Sequence, residues 1–135
     1  MPFTIEETVC IAAIIQSLVA KIYKMHRQNI SFREYRRIFI AENKWRAGKD
    51  GIDAHLIDLG KEENVSYEDL LEELIDFVDD VVDDLGCREE VAYAREIIKM
   101  GTGADRQLKV FKQTGDLKKV VDFMIEQTEK EIIHV

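Results

Sequence analysis

The residues with most chemistry to offer lie together in ENKWRAGKDGID, residues 42–53. Asn43, Lys44, Trp45, Arg46 and Lys49 supply an amide, an indole and three cations, and Gly48 and Gly51 then release the backbone. That mixture suits an anion such as a phosphoryl group or a carboxylate. The planar guanidinium of Arg46 can grip two oxygens at once, Lys44 and Lys49 add point charge, and Asn43 can donate or accept. The plainer reading of the same residues is a solvated basic helix end, which the macrodipole favours, with Trp45 packed into the core.

Other groups compete less well. His55 stands beside Asp53 and Asp58 and could serve as a base or a ligand, but no second histidine lies at ligand spacing. Asp76, Asp79, Asp80, Asp83 and Asp84 recur at three- and four-residue steps and could face divalent cations, yet the Glu-x-x-His element of carboxylate-bridged bundles is missing, so they read as a solvated face. Cys10 reads as a small buried hydrophobe. Cys87 stands where a helix dipole could lower a thiol pKa, with Glu89 and Glu90 opposing that shift. In GTGADRQL, residues 101–108, Thr102 or Gly103 opens a helix whose free N–H groups could face an anion, and Asp105 and Arg106 are placed to close the corner by an ion pair. As plain structure it is a tight helix–helix turn.

The elements that must carry these groups are helical. Thr4-Ile5-Glu6-Glu7 has the form of a capping box and predicts a helix to about Arg27. Residues 9–15 of that helix are apolar on every side, so it needs cover from a neighbouring domain, a second copy of the chain, or helices wrapped around it. A second box, Ser31-Phe32-Arg33-Glu34, predicts a helix that carries Tyr35, Ile38, Phe39 and Trp45 inward and ends at the two glycines. Residues 52–59 read as a loop with at most a short extended piece. Ser66 caps a third helix with Leu70, Leu71, Leu74, Phe77, Val78, Val81, Val82 and Leu85 as its apolar face, stopped by Gly86. A fourth helix spans residues 88–100, a fifth runs from Thr102 or Gly103 to Gly115, and Asp116 caps a sixth. The expectation is an all-α bundle of about six helices in a single domain, residues 1–135.

Composition bounds the class. A chain of 135 residues that is 46% hydrophobic and 34% charged belongs with soluble globular proteins. Its net charge of -8 argues against nucleic acid or an anionic membrane as partner. Two cysteines without CxxC spacing, and no recognisable secretory leader, predict reduced thiols in a cytoplasmic protein. No nucleophile elbow, Walker-type loop or zinc spacing is present.

The pair ENKWRAGKDGID and GTGADRQL, in that order and separated by an acidic helical segment, resembles the C-terminal helical region of the carboxylate-amine ligase family, the bacterial type 2 glutamate-cysteine ligases. The likeness runs from about Phe3 to Glu131 and includes FTIEETVCIAAIIQSLV and TGDLKKVVDFMIEQT. Against the family's usual N-[RK]-W-R-A-x-R-x-G, Asn43, Trp45, Arg46, Ala47 and Gly51 match, while Lys49 stands where arginine is common and keeps the charge without the fork. The resemblance implies an ATP-dependent ligase on a glutamine-synthetase-like fold, active in glutathione biosynthesis. In such an enzyme the γ-carboxylate of glutamate is phosphorylated, an amine attacks the acyl phosphate, and magnesium neutralises the phosphates. It implies Arg46 and Lys49 as catalytic groups and Asn43, Trp45 and Arg106 beside them at substrate or phosphate. Gly51, Asp53, Thr102 and Asp105 are implied as support, with no metal ligand in this chain. The family's antiparallel sheet has no counterpart here. The chain alone is therefore expected to be inactive and to bind no ATP or magnesium, and its partner is expected to be the missing N-terminal catalytic portion or a second copy met through the first helix. The other class left open is a non-catalytic helical interaction or oligomerisation module.

Overall fold

In the computed structural model, residues 4–31 and 34–129 are described. They form helices α1 (Ile5–Arg27), α2 (Arg37–Asp50), α3 (Tyr67–Leu85), α4 (Arg88–Ala92), α5 (Ala94–Met100), α6 (Gly103–Thr114) and α7 (Leu117–Glu129). A 3-10 turn, Gly51–Asp53, leads into strand β1 (His55–Asp58), which pairs antiparallel with β2 (Glu63–Ser66). The all-α architecture predicted from the sequence is the one observed, with this single hairpin added. The predicted fourth helix is interrupted at Tyr93, giving α4 and α5.

The chain divides into two compact units, Met1–Ala13 with Glu89–Val135, and Ile14–Arg88. α1 contributes its first half to one and its second half to the other. In the first unit, the hydroxyl of Thr4 accepts from the Glu7 backbone N–H at 3.2 Å, so the predicted cap starts α1. The Glu7 side chain, 3% exposed, takes the guanidinium of Arg106 instead of closing the box. Removing one partner of so buried a pair would strand a charge, at a cost of roughly 3–5 kcal/mol. Cys10, Ala13, Val91, Ala94 and Val120 are buried in this unit, and α6 packs on α7.

In the second unit, α3 supplies Leu71, Val78, Val81 and Val82 to the core. Ser66 caps it by accepting from the Asp69 N–H at 3.1 Å, and Gly86 ends it in the left-handed region, φ +64°, where a side chain would be strained. Ser17 and Cys87 are buried with Oγ and Sγ 3.4 Å apart.

The expectations for the start and the face of α2 are corrected. α2 starts at Arg37, six residues after Ser31; Phe32 and Arg33 of the predicted box lie outside the described residues. Glu34, Tyr35, Arg36 and Phe39 line a shallow cleft with Leu59 and Glu62 of the hairpin loop, and Arg36 at its N-cap is extended, ψ 127°. Nor does α2 bury an apolar stripe: Tyr35, Ile38 and Trp45 are exposed, Trp45 by 59%, because this helix docks through polar residues. Residues 52–59 hold the short extended piece expected there as β1, whose partner strand the sequence reading did not anticipate. The cover expected around residues 9–15 is one-sided among the described residues. Cys10 and Ala13 are buried, whereas Val9, Ile11 and Ile15 are exposed.

Candidate functional site

The predicted cationic corner lies in the second unit, where the end of α2 meets the outer edge of β1. In an antiparallel pair, alternate residues of an edge strand point their N–H and C=O away from the partner, and such groups need other company. Asn43 provides it for Ile57, donating from Nδ2 to the Ile57 carbonyl at 2.7 Å and accepting the Ile57 N–H on Oδ1 at 2.7 Å. One turn on, Arg46 donates from Nη1 to the His55 carbonyl at 3.0 Å and to Oδ1 of Asn64 on β2 at 2.7 Å, while its Nε pairs with Glu42 at 2.8 Å. Residues three apart on a helix share a face, and residues two apart on a strand share an edge. The Asn-x-x-Arg spacing thus reads out the His55–Ile57 edge.

The remaining members of the corner point elsewhere. Trp45 and Lys44 are exposed, and the Lys49 ammonium lies 5.2 Å from the centre of the Trp45 ring and 3.7 Å from an Asp50 carboxylate oxygen. Gly51 sits at φ +61° and ψ -131° and ends α2, a conformation a residue with a Cβ would adopt only under strain. Asp53 is an exposed member of the 3-10 turn, and the Ala54 N–H returns to the Gly51 carbonyl at 3.4 Å. On the far side of the hairpin, Oδ1 of Asp58 accepts the backbone N–H groups of Gly60 and Lys61, and Lys61 reaches Oδ2 at 3.1 Å. The Lys61 N–H above all, with the Gly60 N–H and the Lys61 ammonium, holds the Asp58 carboxyl below its ordinary range against burial. His55 lends its backbone to the site and gathers no metal ligands. Among the described residues, no three His, Cys, Asp or Glu side chains come together to hold a metal ion.

The second predicted motif lies in the first unit and is a complete capping box. The Thr102 hydroxyl accepts from the Asp105 N–H at 3.3 Å and donates to Oδ2 of Asp105 at 2.6 Å, and the Thr102 N–H donates to the same oxygen at 2.9 Å. The hydroxyl, then the N–H, pulls the Asp105 carboxyl below its usual value. Asp105 therefore caps its own helix, and Arg106 pairs with Glu7 rather than with Asp105 as the sequence suggested. The structure brings Asn43 and Arg46 together on one strand edge and Lys49 onto Trp45. Within the first unit, Thr102 and Asp105 cap α6 and Arg106 pairs with Glu7.

The acidic face of α3 is engaged by cations. Asp80 takes Lys21 at 2.6 Å and Lys24 at 2.8 Å, which lowers its pKa to about 2, and Arg88 reaches Asp79 at 2.7 Å and Asp83 at 2.5 Å. Burial, with Glu7 nearby, raises the Cys10 thiol, the opposite of what a nucleophile needs. Sequence reasoning missed Glu42, Glu7 and Asn64. The i,i+4 step from Glu42 to Arg46 was a usable signal for the first. Glu7 and Asn64 act across 99 and 18 residues of chain, beyond any local pattern.

The profile of glutamate-cysteine ligase family 2 matches residues 3–122. A protein of Solibacter usitatus provisionally named glutamate–cysteine ligase 2 is 57% identical over 129 residues, covering 96% of this chain and 34% of the relative. Proteins of the same provisional name from Herpetosiphon aurantiacus and Chloroflexus aggregans are 49% and 50% identical over 124 residues, 92% of this chain and 32% of theirs. The chain thus spans about a third of the length of the curated relatives it matches. No solved structure gives a significant match. With the profile covering almost all of the described residues, both motifs included, the chain belongs to glutamate-cysteine ligase family 2.

Proposed function

We propose that this chain is the helical portion of an ATP-dependent carboxylate-amine ligase that forms a γ-glutamyl amide bond, and that it is inactive by itself. In that reaction a γ-carboxylate oxygen attacks the terminal phosphorus of ATP and ADP leaves. An amine then attacks the acyl carbon, expelling inorganic phosphate and losing a proton. The observation that carries the reading is the family match across residues 3–122, which contains the cationic corner built on α2.

The geometry supports a division of labour within that corner. Asn43 and most of Arg46 are engaged in fixing α2 to the hairpin, so they act as positioning residues. Nη2 of Arg46 makes no hydrogen bond among the described residues and, with Lys49 one turn on, offers positive charge to an anion. Phosphate oxygens fit these groups. A magnesium ion does not, for want of a donor cluster among the described residues, so its ligands would come from outside them.

The internal pairing of Arg46 with Glu42 and of Arg106 with Glu7 favours a second reading, in which the chain is a non-catalytic helical module. The test is glutamate- and cysteine-dependent ADP release with ATP and magnesium. It is run on the chain alone and on the chain co-expressed with the remaining two-thirds of the Solibacter relative. Turnover only in the combination, reduced at least ten-fold by Lys49→Ala, is the expected result. A folded combination without glutamate-dependent ADP release would leave the non-catalytic reading in place.

A further inference from the structure

α7 carries an apolar stripe that nothing among the described residues covers. Leu117, Val121, Met124 and Ile125 are exposed, Leu117 by 70% and Val121 by 53%. At 3.6 residues per turn these four and Thr128 fall within an arc of about 100°. Val120 lies outside that arc and is buried. Val121, Met124, Ile125, Thr128 and Glu129 line one shallow surface depression.

The charges beside the stripe indicate its occupant. Lys118 and Glu129 border the same edge of the arc, one at each end of the helix, and neither forms an ion pair among the described residues. We propose that this face docks a second copy of the chain, with the two α7 helices antiparallel about a two-fold axis. That arrangement sets Val121 against Ile125 of the other copy and, twice over, Lys118 against Glu129. A two-fold axis normal to the plane of two antiparallel helices keeps an edge on the same side, so the two ion pairs follow from one geometry. A parallel two-fold would carry that edge to opposite sides of the seam in the two copies, where Lys118 and Glu129 could not reach each other, so the charge pattern selects the antiparallel form. The interaction does not depend on ligase activity, and its test reads association alone.

Sedimentation of the 135-residue chain up to about 100 µM, a range that captures a micromolar Kd, should show a monomer–dimer equilibrium. Lys118→Glu or Glu129→Lys, each turning two attractions into repulsions, should raise Kd roughly ten-fold. The two substitutions together should restore it to within about three-fold of the parent. Val121→Asp should abolish the dimer while circular dichroism shows the helices retained. A parent chain that stays monomeric throughout would overturn the proposal. So would a dimer that survives Val121→Asp but is lost on Val19→Asp, which would place the contact on the exposed side of α1.

Discussion

Asn43 shows how a side chain with ligand-binding chemistry can give its donor and its acceptor to the backbone. A carboxamide has a peptide's donor and acceptor, and here it meets the N–H and C=O of Ile57 as a neighbouring strand would. Asn43→Ala leaves both groups of a half-buried residue without that partner, at a cost of about 1–3 kcal/mol. Asn43→Asp should cost at least as much, since its carboxylate would face the Ile57 carbonyl. Urea denaturation followed by the fluorescence of Trp45, the only tryptophan and a resident of α2, reports this corner directly. A midpoint shifted down in both variants is expected, and an unchanged one would remove Asn43 from the support of the hairpin. The same geometry explains why the residue types of the corner were legible in the sequence and their roles were not. The amide and guanidinium were correctly singled out as strong hydrogen-bonding groups. Most of their partners are main-chain atoms of β1, which the sequence showed only as a possible short extended piece with no paired strand.

At the scale of elements, the caps carry most of the local information. Thr102 is bound to Asp105 in both directions, so Thr102→Ala should destabilise α6 by about 1 kcal/mol, whereas Thr102→Ser, which keeps the hydroxyl, should cost much less. Thermal melts of the two variants beside the parent check this; equal losses would mean that the methyl group and not the cap matters. The starts of α1, α3, α6 and α7 were readable because Thr4, Ser66, Thr102 and Asp116 act within their own turn, and the ends of α3 and α6 because Gly86 and Gly115 take positive φ. The pairing of the hairpin was not legible, for the opposite reason. Its strands are four residues each, too short for alternation to declare itself, and its stability comes from α2 side chains fourteen and nine residues away. α2 was legible as a helix ending at its glycines, but not in its start or its face: a helix with no buried residue has no apolar period to detect.

For the molecule as a whole, the carboxylates set the response to pH. Asp80 is lowered to about 2 by Lys21 and Lys24, Asp83 is lowered by Arg88, and Asp58 and Asp105 by the N–H and hydroxyl groups around them. Each folded-state pKa lies below its unfolded value near 3.8, so the unfolded chain binds more protons in acid and stability must rise with pH through this window. The contribution is fully present above about pH 4 and is lost as pH falls toward 2, where nineteen Lys and Arg and three His are left without ionised partners. Acid titration followed by circular dichroism should therefore show helix loss concentrated between about pH 4 and 2, and little change from pH 5 to 7. Asp80→Asn isolates the α1–α3 tie within this response. The variant lacks the carboxylate from the outset, so it should be less stable than the parent at pH 7 and should lose less on acidification, the two curves meeting as pH approaches 2. Added salt should narrow their separation at pH 7, because this pair is exposed and screened. Parallel curves at all pH values would mean that Asp80 contributes by shape rather than by charge.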